Sequence, residues 1–119
     1  MAITWEHEAG SLVVFRVAEK LGKAELDAAQ KEAESVIQKG GAKLLAIVED
    51  NFAGWEKQGD WEDLSFTERN DQYIEKMALV GDEKWRDLAY VFTLRGLRGF
   101  PIEYFEADQQ EAARQWLVE

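Results

Sequence analysis

The residues that could carry chemistry are few and poorly arranged for catalysis. His7 is the only imidazole and lies between Glu6 and Glu8. A Ser-His-acid triad would have to recruit Ser11, Ser35 or Ser65, and none stands in the Gly-x-Ser-x-Gly setting that exposes a nucleophile. Six acids fall between residues 49 and 63: Glu49, Asp50, Glu56, Asp60, Glu62 and Asp63, opposed only by Lys57. Ca²⁺ or Mg²⁺ would accept such oxygen ligands, but the Asp-x-Asp-x-Asp-Gly loop spacing is missing, so no metal site is expected. Some of these acids can instead complement a helix N-terminus. From Leu88 to Ile102 there is no acid, only Arg95 and Arg98 among Gly96, Leu97, Gly99, Phe100 and Pro101. An Arg fork there could hold an anionic head group or pair with acids elsewhere on the surface. Five Trp stand in the chain, and Trp55 and Trp61 lie with Phe52 in a polar stretch, the composition of a binding site or of a lid over a sheet edge.

The chain that must position these groups has 119 residues, enough for one domain that buries about 65% of its unfolded surface without disulfides. Hydrophobic content of 46% excludes a disordered chain. The 24 acids against 14 Lys plus Arg give a net charge of −10, which argues against nucleic acid and anionic membrane surfaces as partners. The N-terminal residues do not resemble a signal peptide, and the longest apolar run, Leu44 to Val48, is far too short to insert into a membrane. The absence of Cys fits a reducing interior, so a cytoplasmic location is the expectation.

Hydrophobic periodicity supplies the elements. Ile3 to Glu8 and Ser11 to Val17 read as strands of a hairpin turned at Gly10. Lys23 to Lys39 carries Leu26, Ala29, Ala33, Val36 and Ile37 on one stripe, a helix stopped by Gly40 and Gly41. Lys43 to Glu49 has the continuous apolar middle of a strand covered on both faces, hence a central one. Asp60 to Glu75 predicts a second helix, and Met77 to Val80 a buried strand. A third helix is expected from Asp82 to Leu94 with Trp85, Leu88, Ala89 and Phe92 inward, then a strand at Pro101 to Phe105. Asp108 and Glu111 suggest a capping box for a last helix that buries Ala112, Ala113, Trp116 and Leu117. The order β-β-α-β-α-β-α-β-α makes an α/β domain: a mostly parallel central sheet, about four helices and an antiparallel N-terminal edge. Ligands in such sheets tend to sit beyond the carboxyl ends of the strands, here Glu49 to Gly54, Gly81 to Asp82 and Phe105 to Ala107.

Several stretches resemble one family. Asp50-Asn51-Phe52-Ala53-Gly54-Trp55, the pair Trp61 and Asp63, Lys76-Met77-Ala78-Leu79-Val80-Gly81-Asp82 with Lys84 and Trp85, then Ile102, Tyr104, Phe105 and Glu111, Ala112, Trp116, Leu117 are similar to the SpoIIAA-like family. That family belongs to the STAS fold, named for sulfate transporters and anti-sigma-factor antagonists. The resemblance implies a small α/β domain over nearly the whole chain that binds protein partners or small apolar ligands, with no catalytic signature. Antagonists of anti-sigma factors open the helix after the central strand on an Asp-Ser-Ser/Thr-Gly motif whose hydroxyl is phosphorylated. The corresponding stretch here, Asp60-Trp61-Glu62-Asp63, has no hydroxyl, and Ser65 and Thr67 are expected a turn or more inside the helix.

The sequence thus predicts a non-catalytic binding domain without cofactor or metal. Phe52, Trp55, Trp61 and Tyr73 would line a groove for a small apolar or amphipathic ligand, with Arg95 or Arg98 near its head group. The alternative is a protein-interaction module using the same surface. The thinly protected N-terminal edge strand also suggests a homodimer.

Overall fold

The computed structural model describes residues 2–8 and 10–119. Strand β1 (Ile3–His7) pairs antiparallel with β2 (Leu12–Val17), Ile3 opposite Val17 and His7 opposite Val13. Helix α1 (Lys23–Ile37) leads to β3 (Ala42–Val48), α2 (Ser65–Asn70) to β4 (Ile74–Gly81), and α3 (Arg86–Phe92) to β5 (Ile102–Glu106); α4 (Gln110–Val118) closes the chain. The five strands lie in sequence order, β2 to β5 all parallel, with β3 in the centre as its apolar run requires. Among the described residues, no helix is long and apolar enough to cross a membrane.

The strand order never reverses. Crossovers of one hand therefore deliver α1, α2 and α3 to the same face of the sheet, and α4 alone covers the other. On the first face Ala33 and Ile37 of α1 meet Val13, Leu44, Met77, Leu79 and Ile102. On the second, Ala113 and Leu117 meet Val14, Leu45, Ile47, Ala78 and Val80. Leu44 and Leu45, adjacent in β3, serve opposite cores, which is why that strand shows no polar alternation.

Three expectations require correction. The second helix does not begin at Asp60: residues 49–64 form a long loop, α2 starts at Ser65, and after a 3-10 turn at Asp71–Tyr73 the chain enters β4 at Ile74. Buried Asn70 explains the early stop. Its amide donates to Glu34 Oε2 (2.7 Å) and to the Phe66 carbonyl (2.9 Å), and its oxygen accepts from Gln38 Nε2 (3.0 Å), an arrangement that fixes the helix end against α1. The third helix is also shorter, and Leu88 and Phe92 are exposed rather than inward. A 3-10 turn at Glu83–Trp85, wound at about 3 residues per turn, shifts the phase so that Ala89 and Tyr90 lean on the sheet. Asp82 does cap this segment, accepting from Lys84 N at 2.9 Å. The last capping box is formed by Glu106 and Gln109, not Asp108 and Glu111, because a 3-10 turn at Ala107–Gln109 precedes α4. Ala112 consequently faces solvent, while Trp116 lies half-buried, its ring 5.9 Å from Phe105.

Tyr104 on β5 donates its hydroxyl proton to the Asp82 carbonyl at 2.8 Å. Burial, reinforced by the nearby Asp82 and Tyr90, raises its phenol from 10 to about 12. The folded state therefore keeps this proton where the unfolded chain has lost it. The contribution is intact below pH 10 and disappears as pH rises from 10 to about 12. Chemical unfolding followed across that range should show a steep loss of stability in the wild type and a shallower one in Tyr104→Phe.

Candidate ligand cavity

The loop at residues 49–64 is held at its first half by the segment before α1. Ala53 N–H donates to the Glu19 carbonyl (2.7 Å), Leu21 N–H to Gly54 (2.9 Å) and Glu56 N–H to Leu21 (2.8 Å), so Trp55 sits in a short parallel bridge with Leu21. Farther along, the Trp61 indole donates to the Glu56 carbonyl at 2.8 Å, folding the loop back on itself. Gly59 makes this turn: its φ is +108°, and a Cβ there would stand 2.5 Å from Lys23 Cβ. Gly59→Ala is expected to displace the Trp61 loop and cost about 1–3 kcal/mol, measurable as a lower unfolding midpoint with altered tryptophan emission.

The aromatic residues meet around α3. Phe92 lies between the Trp rings, 5.2 Å from Trp55 and 5.6 Å from Trp61, while Phe52 contacts Trp85 edge-on at 4.8 Å. Such pairs contribute about 0.5–1.5 kcal/mol each beyond burial. They dock the end of α3 against the loop, and beneath that junction Phe15 and Ala46 of the sheet stay half-buried beside the buried Leu44, Met77 and Leu79. Six- and seven-residue helices span only about 9–11 Å at 1.5 Å per residue, against roughly 25 Å for the strands below them. The gap is a cavity of about 300 Å³. Its floor is Phe15, Leu44, Ala46, Met77 and Leu79, adjacent residues on β2, β3 and β4. Its rim carries Trp61, Leu64, Val91 and Phe92, of which the last three are exposed. Leu94 also lines it, held at φ +59° just past the end of α3, a conformation Leu adopts at a cost of about 1–2 kcal/mol.

Of the residues singled out from sequence, Trp61 and Arg98 line this cavity; Trp55 supports the rim through Phe92; Phe52, Tyr73 and Arg95 lie outside its wall. The two Arg of the acid-free window are already engaged. Arg98 binds Asp71 bidentately (3.0 and 2.6 Å), donates to the Thr93 carbonyl (3.3 Å) and stacks on Phe100. Arg95 donates to the Ile102 carbonyl at 2.7 Å, pairs with Glu103 at 3.2 Å and covers Tyr90. Lys23, also in the cavity wall, pairs with Asp27.

The acid-rich stretch disperses. Glu49 faces Arg16 at 3.7 Å, and Asp63 accepts the Ser65 N–H at 3.0 Å, a backbone hydrogen bond that holds its carboxyl below the ordinary range. Among the described residues, no three His, Asp or Glu side chains converge to hold a metal ion. Ser65, expected deep in the helix, is instead its exposed first residue. His7 Nε2 lies 2.7 Å from the Gly10 carbonyl, a contact within the hairpin turn.

Sequence reasoning missed Phe92, Val91 and the sheet floor as site residues. The signal was present in α3: Leu88, Ala89, Val91 and Phe92 are more apolar positions than one helix face can bury.

The comparisons with known proteins agree with this architecture. A family model described as SpoIIAA-like matches residues 12–118. The crystal structure of an uncharacterized protein from the DUF3478 family of Shewanella loihica PV-4, itself with a SpoIIAA-like fold, superposes with a TM-score of 0.74. The likeness covers 98% of this chain and 93% of that one at 16% identity, and so speaks for the fold alone. No curated protein matches. With its family signature running from β2 to α4 and its five strands in the SpoIIAA-like arrangement, the chain belongs to the SpoIIAA-like family.

Proposed function

We propose that this protein is a non-catalytic binding domain that holds a small apolar or amphipathic molecule in the cavity under α3 and the Trp61 loop. The observation that carries this is the cavity itself. A mostly apolar pocket of about 300 Å³ opens above the central strands, at the lower end of the ~300–1,000 Å³ typical of ligand sites. The strained Leu94 and the exposed Leu64, Val91 and Phe92 frame that space. Their apolar surface would be covered by a ligand, each buried Å² contributing about 25 cal/mol. The cavity lies on the sheet face rather than beyond the strand ends, because a sheet without a reversal of strand order has no crevice there. Native mass spectrometry of the purified protein should show a bound small molecule that is lost in Trp61→Ala; protein free of any such mass, and unchanged in tryptophan emission on adding medium-chain amphiphiles, would contradict the proposal.

A second reading rests on a different observation. Leu88 and Val91 on α3 and Leu97 in the loop after it stand 46%, 73% and 82% exposed, apolar surface suited to a protein partner of the kind SpoIIAA-like relatives are expected to bind. A complex recovered with the wild type but lost with Leu97→Asp would support it; one unaffected by Leu97→Asp and Trp61→Ala would place the partner elsewhere. The outer edge of β1 is the surface on which homodimerisation would occur. Light scattering over a range of concentrations should then show a dimer, and a monomer throughout would remove that idea.

A further inference from the structure

The cavity wall also constrains the ligand's polar end. Both cations in the wall are committed: Arg98 to Asp71 in a bidentate pair with only 8% of its side chain exposed, and Lys23 to Asp27 with 12% exposed. The one acid in the wall, Asp63, stands at the exposed rim, where its low-lying carboxyl carries a negative charge. Against these stand Gln30 of α1 and Thr67 of α2, half-buried in the same wall. Thr93, also in the wall, donates its hydroxyl proton to the Ala89 carbonyl at 2.8 Å, whereas among the described residues no protein hydrogen bond uses the amide of Gln30 or the hydroxyl of Thr67. An amide and a hydroxyl can each donate and accept, and they serve a hydroxyl, ester, amide or ketone equally well.

We infer that the ligand is a medium-chain apolar molecule with an uncharged hydrogen-bonding end, held by Gln30 and Thr67, rather than a fatty-acid anion or an amine. The inference rests on the ligand-binding proposal above and narrows it. A carboxylate drawn into the cavity would lose its hydration without gaining a free cation and would pass the negative Asp63 on entry. A protonated amine could pair with Asp63 only at the exposed rim, where ion pairs contribute little. The limited volume favours a chain of medium length over a long acyl tail.

The test is a set of tryptophan-emission titrations of the full chain at pH 7 with decanol, decanoate and decylammonium, each kept below its solubility or micelle limit. Decanol should bind at least about tenfold more tightly than decanoate, with decylammonium between them. In Gln30→Leu/Thr67→Val the decanol affinity should fall about tenfold with the unfolding midpoint preserved, closing most of the gap to decanoate. Decanoate or decylammonium binding as tightly as decanol would overturn the uncharged-end inference and leave the cavity proposal standing. Decanol winning in the wild type with no change in the double variant would overturn the assignment to Gln30 and Thr67. Failure of all three probes to bind would overturn both proposals.

Discussion

Ala46→Phe should abolish ligand binding while leaving the protein folded. Ala46 lies on the central strand between Phe15 of β2 and Leu79 of β4, in the middle of the cavity floor. A phenyl ring rising from this position enters space that is empty of protein atoms, so it displaces the ligand without pushing on a packed neighbour. At least a hundredfold loss of affinity for decanol is expected, about 2.8 kcal/mol. The unfolding midpoint should hold or rise, since the ring fills cavity space and gains packing contacts with Leu44, Met77 and Leu79. Undiminished binding in a folded variant would show that the molecule sits elsewhere. A large drop in midpoint would show the floor to be tightly packed and the cavity absent in solution.

The second large effect is structural. The Arg98–Asp71 pair ties the end of the α2 segment to the loop between α3 and β5, on either side of the cavity. Asp71→Ala would leave a nearly buried guanidinium with the Thr93 carbonyl as its remaining hydrogen-bond partner. Losing one partner of a fully buried pair costs about 3–5 kcal/mol, and because Asp71 is itself 24% exposed a smaller loss, about 2–3 kcal/mol, is expected. For a domain of this size that lowers Tm by on the order of 10 °C. The double variant Asp71→Ala/Arg98→Met should recover much of the loss, because it removes the stranded charge. A single-variant shift of only about 2 °C would mean that water has replaced Asp71.

Much of the fold was legible because its strands and first helix announce themselves. The alternation of Val13 and Val14, or of Leu44 and Leu45, between two cores requires helices on both faces, and the α1 stripe of Ala29, Ala33 and Ile37 is buried as its spacing demands. The shorter helices were less legible, because tertiary contacts set their ends. Asn70 terminates α2 through Glu34 of α1 and Gln38 at its C-cap, partners more than thirty residues away that no local pattern reveals. The phase of α3 is set by a 3-10 turn whose Glu83-Lys84-Trp85 sequence continues a helical pattern equally well. The same limits apply to the site. Trp61 was identifiable as an aromatic residue in a polar loop, whereas the cavity floor consists of Leu, Met, Ala and Phe that look like ordinary core. Its vacancy follows from helices too short to cover it. The partners of Arg95 and Arg98 could not be named from sequence, because Glu103 and Asp71, which neutralise them, lie on other elements.

Met77 offers the most direct check of the cavity. It is on β4 in the cavity floor, 9% exposed, and its methyl group gives a single resonance when the protein is labelled at methionine methyl carbons. Titration with decanol should move that resonance progressively to saturation in the wild type and leave it fixed in Ala46→Phe. A Met77 methyl that stays unmoved in the wild type while tryptophan emission reports binding would put the ligand outside the cavity and contradict its assignment as the binding site.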